Sequence, residues 1–143
     1  MVRKRIPHVR ARRGIIPTND PAKDRARTVH ALLKIFKDDL DKNQRISMAN
    51  TAKEILVIGE SDAIFSGKDP LVSGIAIFIY VCRRFSYDCN CPITYDEIRE
   101  KFVHFAAGYT FVGMLKTLSK KFGEIEFKNT TSLRKRRTLY SKS

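Results

Sequence analysis

The sequence has no tryptophan, and only seven glycines, five prolines and three cysteines in 143 residues. Each shortage excludes something. The glycines, at positions 14, 59, 67, 74, 108, 113 and 123, are scattered, so no glycine-rich loop is available to cradle a nucleotide phosphate. The cysteines are odd in number and no signal-peptide pattern precedes them, which leads us to expect a reducing, intracellular setting. Cys89-x-Cys91 lacks the second clear pair that structural zinc requires, and neither Cys82 nor His104 supplies one, so no metal is expected. Cys82 reads as a small core residue. His30 reads as a surface or boundary residue on a helix flank.

Long apolar runs are equally scarce. The longest, Ile75–Cys82, carries only the Tyr80 hydroxyl as a polar group. A membrane span needs about 20 apolar residues, and this run is flanked by Asp69 on one side and Arg83 and Arg84 on the other. Ser66 and Ser73 have no neighbouring motif that would make a nucleophile, and the carboxylates are single or sit in helix first turns. No enzyme activity and no cofactor are expected.

What the chain has in excess is positive charge: net +13, with an isoelectric point near 10.0. Its placement matters more than its total. Residues 1–28 hold nine Lys/Arg against two Asp, and residues 128–143 hold six against none. Residues 29–127 hold thirteen of each sign. A neutral middle with two cationic ends points to a polyanionic partner, nucleic acid foremost.

The pattern predicts an all-α domain of five helices. Met1–Arg27 has no hydrophobic periodicity, contains Pro7, Pro17 and Pro21, and reads as an extended basic arm. Asp20-Pro21 nevertheless looks like a helix start, followed by an apolar stripe at Val29, Leu32, Leu33, Phe36 and Leu40. Asp41-Lys42-Asn43-Gln44 is expected to end this helix. Ser47 is expected to cap a second, with Met48, Ala52, Ile55, Leu56 and Ile58 inward. Pro70–Phe85 follows, capped by Asp69 and apolar on every face, which makes it the central helix that the others surround. Thr94-x-x-Glu97 is a capping box with Ile93 as the staple residue, opening a fourth helix with Ile98, Phe102, Val103 and Phe105 on its apolar side. A turn at Ala106-Ala107-Gly108 leads to a fifth helix, with Tyr109, Phe111, Val112, Leu115, Leu118 and Phe122 apolar and Gly123 as its stop. Domain boundaries are expected at 1–27 for the arm, 28–127 for the helical domain and 128–143 for the basic tail.

The candidate nucleic-acid-binding residues follow from the charge map. They are Arg3, Lys4, Arg5, Arg10, Arg12 and Arg13 in the arm, and Arg134, Lys135, Arg136 and Arg137 in the tail. Lys116, Lys120 and Lys121 on the fifth helix join them, because the fourth and fifth helices have the order of a helix-turn-helix.

Ala52-Lys53-Glu54-Ile55, Gly67-Lys68-Asp69-Pro70, Gly74 through Arg83 and Ile93-Thr94-Tyr95-Asp96-Glu97-Ile98 together resemble one cyclin-like repeat of the transcription initiation factor IIB family. The likeness spans roughly residues 27–123. It implies a five-helix cyclin-like bundle and a DNA-binding role in transcription for a single-repeat relative, with no zinc ribbon. A second likeness, to core histones, rests on the basic arm, Leu33-Lys34-Ile35-Phe36-Lys37 and the Ile93–Ile98 stretch. Three functions are therefore expected in turn. The first is a DNA-binding relative of initiation factor IIB. The second is a structural nucleoprotein component (ribosomal, chromatin-like or viral nucleocapsid) whose arms hold phosphate backbone and whose core meets protein neighbours. The third is a cyclin-type protein–protein adaptor. DNA is favoured over RNA as the partner, and no membrane association is expected.

Overall fold

The computed structural model describes residues 14–85, 93–105 and 109–123. Among these, the structure is helical: α1 (Pro21–Ile35), a 3-10 turn (Lys37–Asp39), α2 (Lys42–Ser61), α3 (Pro70–Arg84), α4 (Tyr95–Lys101) and α5 (Tyr109–Phe122). The arrangement is an all-α bundle.

The organising element is α3. Its start is chemically specified: Asp69 accepts hydrogen bonds from the backbone N–H groups of Leu71 and Val72, while Pro70 occupies the first turn, where no N–H is needed. Every residue from Ser73 to Cys82 is buried, as an all-round apolar helix requires. α1, α2 and α5 all pack directly on it. α1 approaches closely at Gly74, where an added Cβ would lie 2.6 Å from the Thr28 Cβ and 2.9 Å from the Arg25 carbonyl oxygen. The missing side chain is what lets the two backbones come together. Phe36, at the C-terminal end of α1, completes the packing by stacking on Phe78 with ring centroids 5.9 Å apart.

Several sequence expectations need correction. α1 starts at Pro21, so residues 21–27 are helical and not part of an extended arm. Asp41-Lys42-Asn43-Gln44 opens α2 and does not close α1: the Asp41 carboxylate accepts from the Gln44 N–H. A carboxylate acceptor six residues ahead of Ser47 adds more than one turn and still keeps Met48, Ala52, Ile55 and Gly59 on one buried stripe. Ile58, expected inward, falls off that stripe and is 41% exposed. Val103 and Val112 are similarly displaced from the core, at 47% and 44%. For Val103 the reason is that α4 ends at Lys101, so the helical register no longer applies.

α2 ends by a Schellman-type closure: Ile64 N–H donates to the Gly59 carbonyl and Ala63 N–H to that of Glu60. The residue in the left-handed conformation is Ala63, at φ 58°. The closure folds Phe65 back onto α2, where it is buried against Gly59. α4 begins with the expected capping box, Thr94 accepting from Glu97 N–H while the Glu97 carboxylate accepts from Thr94 N–H. Ile93, Ile98, Phe102 and Phe105 are buried beside it. α5 stops before Gly123, at φ 114°.

Cys82 is buried, as expected, and is also disulfide-bonded. The chain's other cysteines, Cys89 and Cys91, lie outside the described residues. Disulfides persist in oxidising surroundings, so the cysteine count no longer argues for a reducing compartment. Among the described residues no helix is long and apolar enough to cross a membrane.

Candidate nucleic-acid interface

Residues 14–20 form a strap that leads from the N-terminal cations into α1. His104 Nε2 lies 3.2 Å from the Ile15 nitrogen and 2.9 Å from its carbonyl oxygen. Further along, Thr18 donates to the Asp24 carboxylate from both its backbone N–H (2.8 Å) and its hydroxyl (2.9 Å). Arg27 adds a bond to Asp24 and donates to the Ile16 carbonyl. Burial would raise the Asp24 pKa. The Thr18 hydrogen bonds and the Arg27 charge prevail and hold it below its usual 3.8.

This geometry separates structural from available cations within the basic N-terminal third. Arg25, counted in the sequence with the arm, is 3% exposed and belongs to the core. Its guanidinium pairs with Glu60 at 2.9 Å, donates to the Ser73 hydroxyl and lies over the Phe65 ring at 4.5 Å. Arg27 is likewise committed, to Asp24 and Ile16. Arg3, Lys4, Arg5, Arg10, Arg12 and Arg13 lie outside the described residues.

A second set of contacts fastens the close of α5. Tyr80 donates from its hydroxyl to the Gly123 carbonyl (2.8 Å), and Arg84 donates to both the Tyr80 hydroxyl and the Phe122 carbonyl. Burial pushes the Tyr80 pKa up against the opposing pull of Arg84. Arg84 thus satisfies a carbonyl that the helix end would leave open. Arg134, Lys135, Arg136 and Arg137 lie beyond this point, outside the described residues.

α5 is 14 residues long and spans about 21 Å. Lys116 and Lys120, one turn apart, are exposed and form no ion pair with other described residues. Lys121 pairs with Asp62, at the end of α2, and so is tied into the bundle. Lys120 and Lys121 also sit in the last turn, where the helix dipole favours cations without any ligand. The helix-turn-helix expectation meets a geometric obstacle: residues 102–108 separate α4 from α5, against the three or four or so of that motif's turn.

An open cleft with no signature in the sequence, about 550 Å³ in volume, lies between α1 and α2, with Ile15 of the strap contributing to its wall. Val29, Leu33, Ala49, Ala52 and Leu56 supply apolar lining, and Arg27, His30, Lys34 and Lys53 supply polar groups. His30 is exposed, as expected. Among the described residues no cluster of three or more His, Cys, Asp or Glu is placed to hold a metal ion.

No protein-family model matches the chain, and neither a curated protein nor a solved structure is significantly similar to it.

Proposed function

We propose that the protein is a non-enzymatic nucleic-acid-binding protein that grips phosphate backbone through its cationic ends and uses the helical bundle as a packing body. The observation that carries this reading is the location of the charge. The described residues hold sixteen Lys/Arg and twelve Asp/Glu, only +4 of the chain's +13. Of those sixteen, Arg25 is buried in the core, and Arg27, Arg84 and Lys121 are engaged by other groups of the bundle. The remaining excess lies mostly at sequence positions 1–13 and 124–143, which precede the strap and follow α5 in the chain. Lys116 and Lys120 on α5 add to it.

Two forms of the reading differ in what the bundle does. A DNA-binding relative of initiation factor IIB would read a promoter with cationic helices. A structural nucleoprotein component would hold backbone of any sequence and turn its bundle toward protein neighbours. The nearly neutral bundle and the long α4–α5 connection favour the second. DNA remains the favoured polymer, and an intracellular location on nucleic acid follows from the function.

The test uses the full chain with Arg3, Lys4, Arg5, Arg10, Arg12 and Arg13 all changed to Ser. On duplex DNA, the slope of log affinity against log salt should become shallower by about 0.9 for each phosphate that is no longer neutralised. Changing Arg134, Lys135, Arg136 and Arg137 to Ser should act in the same direction. Slopes unchanged by both sets would overturn the reading. Protection of one promoter sequence over random DNA would favour the factor IIB form.

A further inference from the structure

We propose that the α1–α2 cleft is a docking site for an acidic amphipathic helix of a partner protein. The inference stands apart from the nucleic-acid reading, because it uses different residues and predicts a different ligand.

The cleft has the form such a ligand needs. It is an open trough between two helices, and helix-in-groove recognition inserts apolar side chains at i, i+3, i+4 and i+7 into a trough of this kind. Ile15, Leu33, Ala49 and Leu56 provide the apolar surface. The small Ala49 on α2 leaves the room that a larger residue would fill.

The charges select the ligand's sign. The lining includes Lys34 from α1 and Lys53 from α2, one on each helix, and no carboxylate; Arg27 also lines the cleft, but its charge is already paired with Asp24. Lys34 and Lys53 are both exposed and form no ion pair with other described residues. An occupant with carboxylates on both sides of an apolar stripe would satisfy both lysines. The same charges disfavour the nearer alternatives. Residues 1–13 hold six Lys/Arg and no Asp or Glu, and residues 124–143 hold six against two, so either end of the chain would bring like charge to the cleft. A second copy meeting the same face through a two-fold axis would set lysine against lysine.

The probe is a fluorescein-labelled peptide of about five helical turns, with Leu at i, i+3, i+4 and i+7 and Glu on the remaining face, titrated by anisotropy against the full-length protein. A scrambled peptide of identical composition controls for attraction to the cationic ends. At about 0.15 M salt the amphipathic peptide should bind at least roughly tenfold more tightly than the scrambled one. Ala49→Gln fills the trough without changing charge and should remove most of that advantage. Ala26→Gln, at an exposed helical position in the same lining, should do so too if Ala49→Gln disturbs folding. Lys34→Gln with Lys53→Gln should weaken binding and flatten its salt dependence, whereas Lys116→Gln with Lys120→Gln should leave it unchanged. Equal binding of the two peptides would overturn the proposal. So would full affinity in both folded alanine variants, or displacement of the peptide by a second copy of the chain.

Discussion

Asp24 shows how a single side chain ties the strap to the bundle. Its carboxylate collects Thr18 and Arg27, and its own carbonyl accepts from the buried Thr28 hydroxyl at 2.8 Å. Because its folded pKa lies below 3.8, its contribution is present above that value and is lost as the pH falls through the lower, folded one. Asp24→Asn should therefore be less stable than the parent at neutral pH, with the gap closing below about pH 3.8, as urea midpoints at several pH values would show. Gly74 is the second residue on which the packing turns. Replacing it by Ala gains helix propensity, but the new Cβ meets the Thr28 Cβ and the Arg25 backbone, neither of which is the end of a flexible side chain. Overpacking should win, for a net loss of roughly 1–2 kcal/mol in denaturant unfolding. Thr28→Ala should not restore it, since the offending Cβ stays. The helix start at Asp20-Pro21 is legible in the sequence, but nothing local distinguishes the buried Arg25 from the other basic residues around it. Its partners Glu60, Phe65 and Ser73 lie at least 35 positions away.

At the scale of elements, helix starts were more legible than helix ends. Asp69-Pro70 and the Thr94–Glu97 box act within one turn of chain, so the residues that form them are also the residues that reveal them. The start of α2 is ambiguous in the sequence, because Asp41 can serve equally as the end of one helix or the cap of the next. Burial of the Met48, Ala52, Ile55 and Gly59 stripe is compatible with either start. The end of α2 carries an unusual choice, an alanine in the left-handed position of the closure. Ala63→Gly should relieve that conformation and stabilise the protein by up to about 1 kcal/mol, read as a shift in urea midpoint at constant slope. No change would mean that the greater freedom of glycine in the unfolded chain offsets the relief.

On the scale of the whole molecule, the bundle separates two kinds of positive charge. Some cations hold the fold together, as Arg25 and Arg84 do. Others stand free of it, as Lys116 and Lys120 do. Lys116→Gln with Lys120→Gln should reduce the DNA salt slope by no more than about 1.8 in the log–log plot, the value for two phosphates, if these side chains touch only backbone. Loss of discrimination between DNA sequences in the same variant would instead mean that α5 reads bases. The strap is itself held at its start, where His104 Nε2 lies against the Ile15 backbone. His104→Ala should leave the salt slope intact while loosening residues 14–20, seen as faster amide exchange at Ile15 and Thr18.

The sequence by itself determined the class of fold, the central position of α3 and the concentration of charge toward the two ends. These depend on composition and on periodicities of a few residues, which are local quantities. Tertiary structure alone decided which cations are spent on the core, where the strap is fastened and that a cleft opens between α1 and α2. Those outcomes depend on how helices distant in sequence approach one another. That approach is governed by close packing, such as Gly74 against Thr28, that only the assembled bundle brings about.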